Sequence, residues 1–273
     1  MLIEINVTNF RSLKDTQSFS LVKGRGEELK ETNSFKVSAA NNFELLRSAA
    51  IYGPNASGKS NFLSAIQAMR MIVLNSANSH QRGDSLPVIP FLLSPDTSHA
   101  PTEFEVTILV DGIRYQYGFS ATRKQIMDEW LLAYPKGRAQ CWFARRWDKK
   151  EESYSWDLGK NLTGEKQIWQ KSTRDNALFL STAVQLNSDQ LQPIFDWFKT
   201  TLRRAGTGGW NPSYSASLCE KEEKSKVMNF LRAADIHIDD IVVDTVAFDP
   251  ADLPSSMPES LREAITGEMA DKT

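Results

Sequence analysis

Gly53-Pro54-Asn55-Ala56-Ser57-Gly58-Lys59-Ser60 decides how this 273-residue chain is read. The eight residues satisfy G-x-x-x-x-G-K-[ST] at every defined position, the pattern of a loop that wraps phosphate groups. Each element has a physical reason. Gly53 and Gly58 open backbone conformations closed to residues with a Cβ and let the chain approach an anion closely. Successive backbone N–H groups then form a concavity, which the positive end of a following helix completes. Lys59 supplies a mobile cation for the β- and γ-phosphates, and Ser60 a hydroxyl for Mg²⁺. The candidate site is therefore Gly53, Pro54, Asn55, Ala56, Ser57, Gly58, Lys59, Ser60 and the adjoining Asn61, with ATP and Mg²⁺ as the expected cofactors.

The neighbours of the loop support that reading. Ser48-Ala49-Ala50-Ile51-Tyr52 is a short run suited to a buried strand. After the loop, Phe62, Ile66, Met69 and Val73 recur at helical spacing. Further out, Ile3, Ile5 and Val7 alternate with polar residues and, with Phe19 and Leu21, predict an N-terminal hairpin. Lys23 to Ser34 reads as a surface loop. Phe104, Val106, Ile108 and Val110 alternate up to Asp111-Gly112, and Ile113, Tyr115, Tyr117 and Phe119 alternate after it, a strong hairpin signal. Ile126–Tyr134, Ala139–Trp147 and Ser153–Leu158 extend this into an antiparallel sheet. The last third reads as helices over Leu186–Leu202 and Glu220–Ala234, a strand at Ile236–Val243, and a tail after Pro250 of loop plus one weak helix.

Composition bounds the classes open to the chain. With 41% hydrophobic and 24% charged residues it is an ordinary globular sequence, neither disordered nor fibrous. Thirty-two Lys plus Arg against thirty-four Asp plus Glu give a net charge of −2, which argues against a basic, DNA-coating surface. Two cysteines, Cys141 and Cys219, are too few for a disulfide framework. No signal peptide or membrane-length apolar run is visible, so a cytoplasmic location and no membrane partner are expected.

The opening "INVTNFRSLKD" followed by "AAIYGPNASGKSNFLSAI" resembles the N-terminal lobe of ABC-type ATPase heads of the SMC and RecF kind. More closely it resembles the prokaryotic AAA-labelled, OLD-like ATPases of anti-phage defence. The motifs that carry the likeness are Asn9-Phe10-Arg11-Ser12 and the Gly53–Ser60 loop. "PTEFEVTILVDGIRYQYGF" resembles the β-lobe of that family, and "NFLRAADIHIDDI" the helix and strand that follow it. The resemblance implies an α/β fold of P-loop NTPase type, with an antiparallel β-subdomain and a following helical region. It implies a P-loop lobe over residues 1–180, and over 181–273 a helical region leading to a C-terminal ATPase lobe that is not recognised in the chain. It also implies ATP hydrolysis in a head-to-head dimer or oligomer, coupled to a nuclease or toxin effector. Arg11 then has two readings, a guanidinium near phosphate or ribose and a solvated strand-end charge; Phe10 reads as core.

Hydrolysis in such heads also needs a strand ending in Asp-Glu and a Ser-Gly-containing signature loop. Ile241-Val242-Val243-Asp244 ends in Asp, but Thr245 stands where Glu is needed. Gly206-Thr207-Gly208-Gly209 offers a weak signature match and Gln81 a weak match to a loop glutamine; plain turns explain both. Catalytic residues are therefore not assigned. His80, His99 and His237 lack metal-ligand spacing, and Cys141 reads as packed. Lys136, Arg138, Arg145, Arg146, Lys149 and Lys150 interleave with Trp142, Phe143 and Trp147, a mix able to contact nucleic acid. Nearby Asp148, Glu151 and Glu152 favour a solvated sheet face instead. A nucleotide-dependent interaction module without catalysis is the alternative function.

Overall fold

The computed structural model describes residues 1–37, 43–205, 212–220, 223–244, 249–254 and 257–270. The chain forms two compact units, Met1–Arg204 and Ala205–Thr273.

In chain order the first unit contains β1 (Leu2–Thr8), β2 (Gln17–Ser20), α1 (Lys30–Asn33), β3 (Ser34–Val37) and β4 (Phe43–Leu46). Next come α2 (Lys59–Asn75), α3 (Pro95–Ser98), β5 (Thr102–Val110), β6 (Ile113–Ala121) and β7 (Ile126–Tyr134). β8 (Gln140–Asp148), β9 (Ser153–Leu158), α4 (Lys166–Ser172), α5 (Phe179–Gln185) and α6 (Gln192–Asp196) complete it, the last running into a π-helical turn, Trp197–Thr201. Seven strands make one antiparallel sheet in the order β2-β1-β5-β6-β7-β8-β9, and β3 pairs with β4 separately. Asp111 and Gly112 both take positive φ, 49° and 76°. That is the geometry a two-residue hairpin turn requires, and it sets the Val110–Ile113 register.

One face of the sheet is apolar. Ile5, Val7, Phe104, Val106, Tyr117, Phe119, Leu131 and Phe143 pack there against Phe62, Ala65, Met69, Ile72 and Val73 of α2 and Phe179, Leu180 and Ala183 of α5. The face of α2 anticipated from its spacing is the face that is buried. A buried ion pair fixes α5 onto the sheet: Glu129 of β7 lies 3.0 Å from Arg145 Nε of β8, with neither side chain exposed. The Glu129 carboxylate also accepts bonds from the Phe179 and Leu180 amides at 2.7 and 3.0 Å and from the Tyr117 hydroxyl at 3.1 Å. Strand and helix are thus joined by a carboxylate at the helix N-terminus, where the free amides favour an anion.

Several expectations need correction. Ser48–Tyr52 forms no strand; residues 47–57 are all exposed, and Tyr52 is 89% exposed. A strand needs a neighbour for its backbone groups, and the sheet already ends at β2 and β9. Helix over Leu186–Leu202 begins only at Gln192, because Asn187 takes a φ of 63° and turns the chain. The Lys23–Ser34 stretch contains the short α1. The β3–β4 pair and the α4 and α5 helices have no counterpart in the sequence reading.

The second unit contains α7 (Pro212–Glu220), α8 (Lys224–Ala233), a 3-10 turn at Pro250–Asp252 and α9 (Glu259–Ala270). Ile236–Val243 forms no strand, and Ile236, Ile238 and Val242 are exposed. Lys224 of α8 pairs with Asp240, and Lys226 with Glu223. Among the described residues no helix is long and apolar enough to cross a membrane.

Candidate nucleotide-binding loop

Gly53 to Ser57 run exposed into the N-terminus of α2. The backbone reverses at Asn55-Ala56, where Ala56 has a φ of 64°, and Ser57 N donates to Pro54 O at 3.3 Å. Gly58 is the N-cap residue of α2, with a φ of 92° that disfavours any side chain. A Cβ there would stand 3.2 Å from both Leu13 Cδ2 and Ser12 Oγ, and one on Gly53 would stand 2.7 Å from Ser57 Oγ. The first bond inside the helix runs from Phe62 N to Gly58 O at 2.9 Å. The amides of Lys59, Ser60 and Asn61 therefore precede the ladder, no side chain caps the helix, and its first turn holds no acidic residue. These conditions leave the positive end of α2 uncompensated by the chain.

Lys59 already lies across the loop. Its ammonium donates to Gly53 O at 2.6 Å and Pro54 O at 2.7 Å, with Ser57 Oγ at 3.5 Å. The loop thus gathers one cation and a set of unengaged amides around one small space. An oligophosphate can take both, exchanging two neutral carbonyl acceptors for charged oxygens.

The Asn9–Ser12 motif builds the wall beside it. Phe10 and Leu13 exchange backbone bonds at 2.8 Å each way, closing a tight turn in which Asn9 and Arg11 take φ values of 56° and 50°. Buried Asn9 donates to Thr97 O, Ala100 O and Pro101 O, and its Oδ1 accepts from Phe91 N. This one side chain ties the 91–101 segment to the turn. Ser12 Oγ then accepts from Asn61 Nδ2 at 2.7 Å, joining the turn to the first turn of α2. Phe10 is core, 1% exposed. Arg11 is exposed, its N bonded to Ile89 O and its guanidinium carbon 5.4 Å from the Phe10 ring centre.

The far end of α2 is held by residues that no sequence motif singles out. Arg174 Nη2 donates to Ser76 O, Ala77 O and His80 O, placing a cation on carbonyls at and just past the C-cap of the helix. Asn176 donates to Gln81 O and Asp84 O, and Ser181 Oγ to Val73 O.

Other candidates do not join the loop. Gln81 lies beyond the C-terminus of α2, about 25 Å from Gly58 along a helix of this length. Asp244 is exposed and lies in no strand, while Thr245 and Gly206–Gly209 lie outside the described residues. The basic and aromatic stripe divides between opposite faces: Arg145, Trp142 and Phe143 are buried, whereas Arg146 is exposed. Burial, together with Asp157, pushes the Cys141 thiol up, which keeps it protonated. Among the described residues no three His, Cys, Asp or Glu side chains are grouped to hold a metal.

The fold is therefore a mixed α/β lobe of P-loop NTPase type, an antiparallel seven-stranded sheet carrying the helix that the loop feeds. Residues 48–174 match the family model described as "AAA domain, putative AbiEii toxin, Type IV TA system". That span opens at the exposed Ser48–Tyr52 run, takes in the loop and α2, and ends at the helix-capping Arg174. The match supports an AAA-type ATPase domain, for which nucleotide is the expected ligand. No curated protein matches the chain.

Proposed function

We propose that this chain binds ATP with Mg²⁺ in the Gly53–Asn61 loop, as the nucleotide-binding lobe of an SMC- or OLD-like ATPase. The observation that carries the reading is the uncapped N-terminus of α2, with Lys59 folded over Gly53 and Pro54. In this reading Gly53, Asn55, Ala56, Ser57 and Gly58 present their backbone N–H groups to the phosphates, and Pro54, which has none, shapes the loop. Lys59 leaves its two carbonyls for the β- and γ-phosphates, and Ser60 offers its hydroxyl to Mg²⁺. Asn61 holds Ser12, and with it the turn that carries Arg11, against the loop. Arg11 reaches phosphate or ribose by leaving its place over Phe10.

Among the described residues no Asp or Glu bonds to residues 53–61, so this loop alone has no group to activate water. Hydrolysis in this reading takes those groups from a second head in a dimer, and ATP turnover gates a nuclease or toxin effector in cytoplasmic phage defence. The same missing acid favours a second reading, a lobe that binds nucleotide and changes partners without turnover. Steady-state phosphate release separates them, with Lys59→Ala as the contamination control. Release that Lys59→Ala abolishes supports hydrolysis. Equal release by both proteins, with ATP binding retained, supports the interaction module.

A further inference from the structure

The sheet face opposite the core carries a hollow of about 590 Å³, within the ~300–1,000 Å³ range of ligand sites. Two cross-strand rows build it. One runs Glu103, Ser120, Asp128, Arg146, Ser155; the next runs Glu105, Gly118, Trp130, Ala144, Asp157. The second row is deliberately small on both sides of its aromatic member. The Trp130 indole lies over Gly118 so closely that a Cβ there would be 2.2 Å from Cζ2 and 2.6 Å from Cε2. The ring thus covers one neighbour, while Ala144 leaves the floor on its far side open.

The charges around this platform are mostly of one sign. Asp128 is matched, accepting from Ser120 Oγ at 2.7 Å and Arg146 Nε at 3.1 Å. Glu105 accepts from Asn6 and Gln116. Glu103 has no hydrogen-bond donor among the described residues, and partial burial, with Glu105 and Asp128 beside it, pushes its carboxyl up. Among the described residues Asp157 meets only the weak thiol donor of Cys141. Of the two arginines lining the hollow, Arg145 is buried and paired with Glu129, and Arg146 is paired with Asp128 and has an 81% exposed side chain. Such a surface repels phosphate. A metal is disfavoured too, since no three ligating side chains converge.

We propose that this hollow docks a basic side chain of a partner protein, an arginine whose guanidinium stacks on Trp130 and bonds to Glu103. A planar guanidinium satisfies aromatic face and carboxylate together, which a compact ammonium does less well. The site is independent of the nucleotide loop and stands or falls separately from it.

The test is an NMR titration of the full chain with acetyl-Gly-Arg-Gly-amide, following the Trp130 indole N–H, beside the same peptide carrying citrulline or lysine. Saturable shifts at Trp130 are expected, with citrulline binding about fivefold or more weaker and lysine between the two. Glu103→Gln, which keeps the side-chain shape, and Trp130→Leu should each weaken the arginine peptide by a similar factor, and Lys59→Ala should leave it unchanged. Equal binding of the citrulline peptide, indifference to Glu103→Gln, no saturation in the wild type, or displacement by single-stranded oligonucleotide would each overturn the proposal.

Discussion

Replacing Glu129 by Gln removes one oxygen's charge from a fully enclosed site and leaves the Arg145 guanidinium buried without its anion. Three donors bond that carboxylate, the Phe179 and Leu180 amides and the Tyr117 hydroxyl, and Arg145 Nε lies 3.0 Å from it as an ion pair. A carboxamide has a single acceptor oxygen and turns an NH₂ toward the remaining donors. Breaking a buried pair by neutralising one partner costs roughly 3–5 kcal/mol. For a unit of this size each kcal/mol moves Tm by about 2–4 °C, so the first unit should melt roughly 6–20 °C lower. The assay is urea and thermal unfolding followed by far-UV circular dichroism on the full chain. Glu129→Met with Arg145→Met should recover much of that loss, because two apolar side chains leave no stranded charge. A loss under about 1 kcal/mol for Glu129→Gln, or a double variant as unstable as the sum of the singles, would refute the reasoning.

Other perturbations follow from single contacts. Asn9→Ala should cost roughly 1–3 kcal/mol in urea unfolding, since a buried amide group, the bonds it makes to the 91–101 segment and a residue type that tolerates positive φ are all lost. Arg174→Ala should destabilise by a comparable ~1.5–3 kcal/mol, with faster amide exchange at the last turn of α2. Gly58→Ala should leave the circular dichroism spectrum unchanged while weakening nucleotide binding, because its φ of 92° strains a side chain and the added methyl meets Ser12 and Leu13. Burial pushes the Tyr154 hydroxyl up to about 12 from 10.0, and the Tyr117 hydroxyl is raised as well, again chiefly by burial. The folded state then holds protons that the unfolded state gives up, so stability should be level below pH 10 and fall between pH 10 and 12, less steeply in Tyr154→Phe.

What could be read from the sequence was local chemistry. The 102–121 hairpin was legible because Asp111-Gly112 fixes both turn and register, and the phosphate loop because its glycines and Lys59 each answer a geometric demand. Ser48–Tyr52 and Ile236–Val243 misled for a shared reason: β-forming residues report a preference for extended backbone, while a strand exists only where another strand supplies hydrogen bonds. Arg145 was grouped with exposed cations because nothing near it in sequence reveals Glu129 beside it on the next strand. Its burial also dissolves the apparent basic stripe. Asn9 stood out within a motif, but its work as a clamp on residues 91–101 depends on contacts more than eighty residues away. The Trp130 platform was hidden similarly, since only pairing brings Gly118 and Ala144 to its two sides.

Calorimetric titration of ATP·Mg²⁺ into the wild type and Lys59→Ala bears most directly on the loop as a phosphate cradle. The account predicts binding to the wild type that weakens without Mg²⁺ and falls roughly tenfold to a hundredfold in Lys59→Ala, the value of one charge-assisted contact. Equal affinity in the two proteins, or no binding to either, would contradict it.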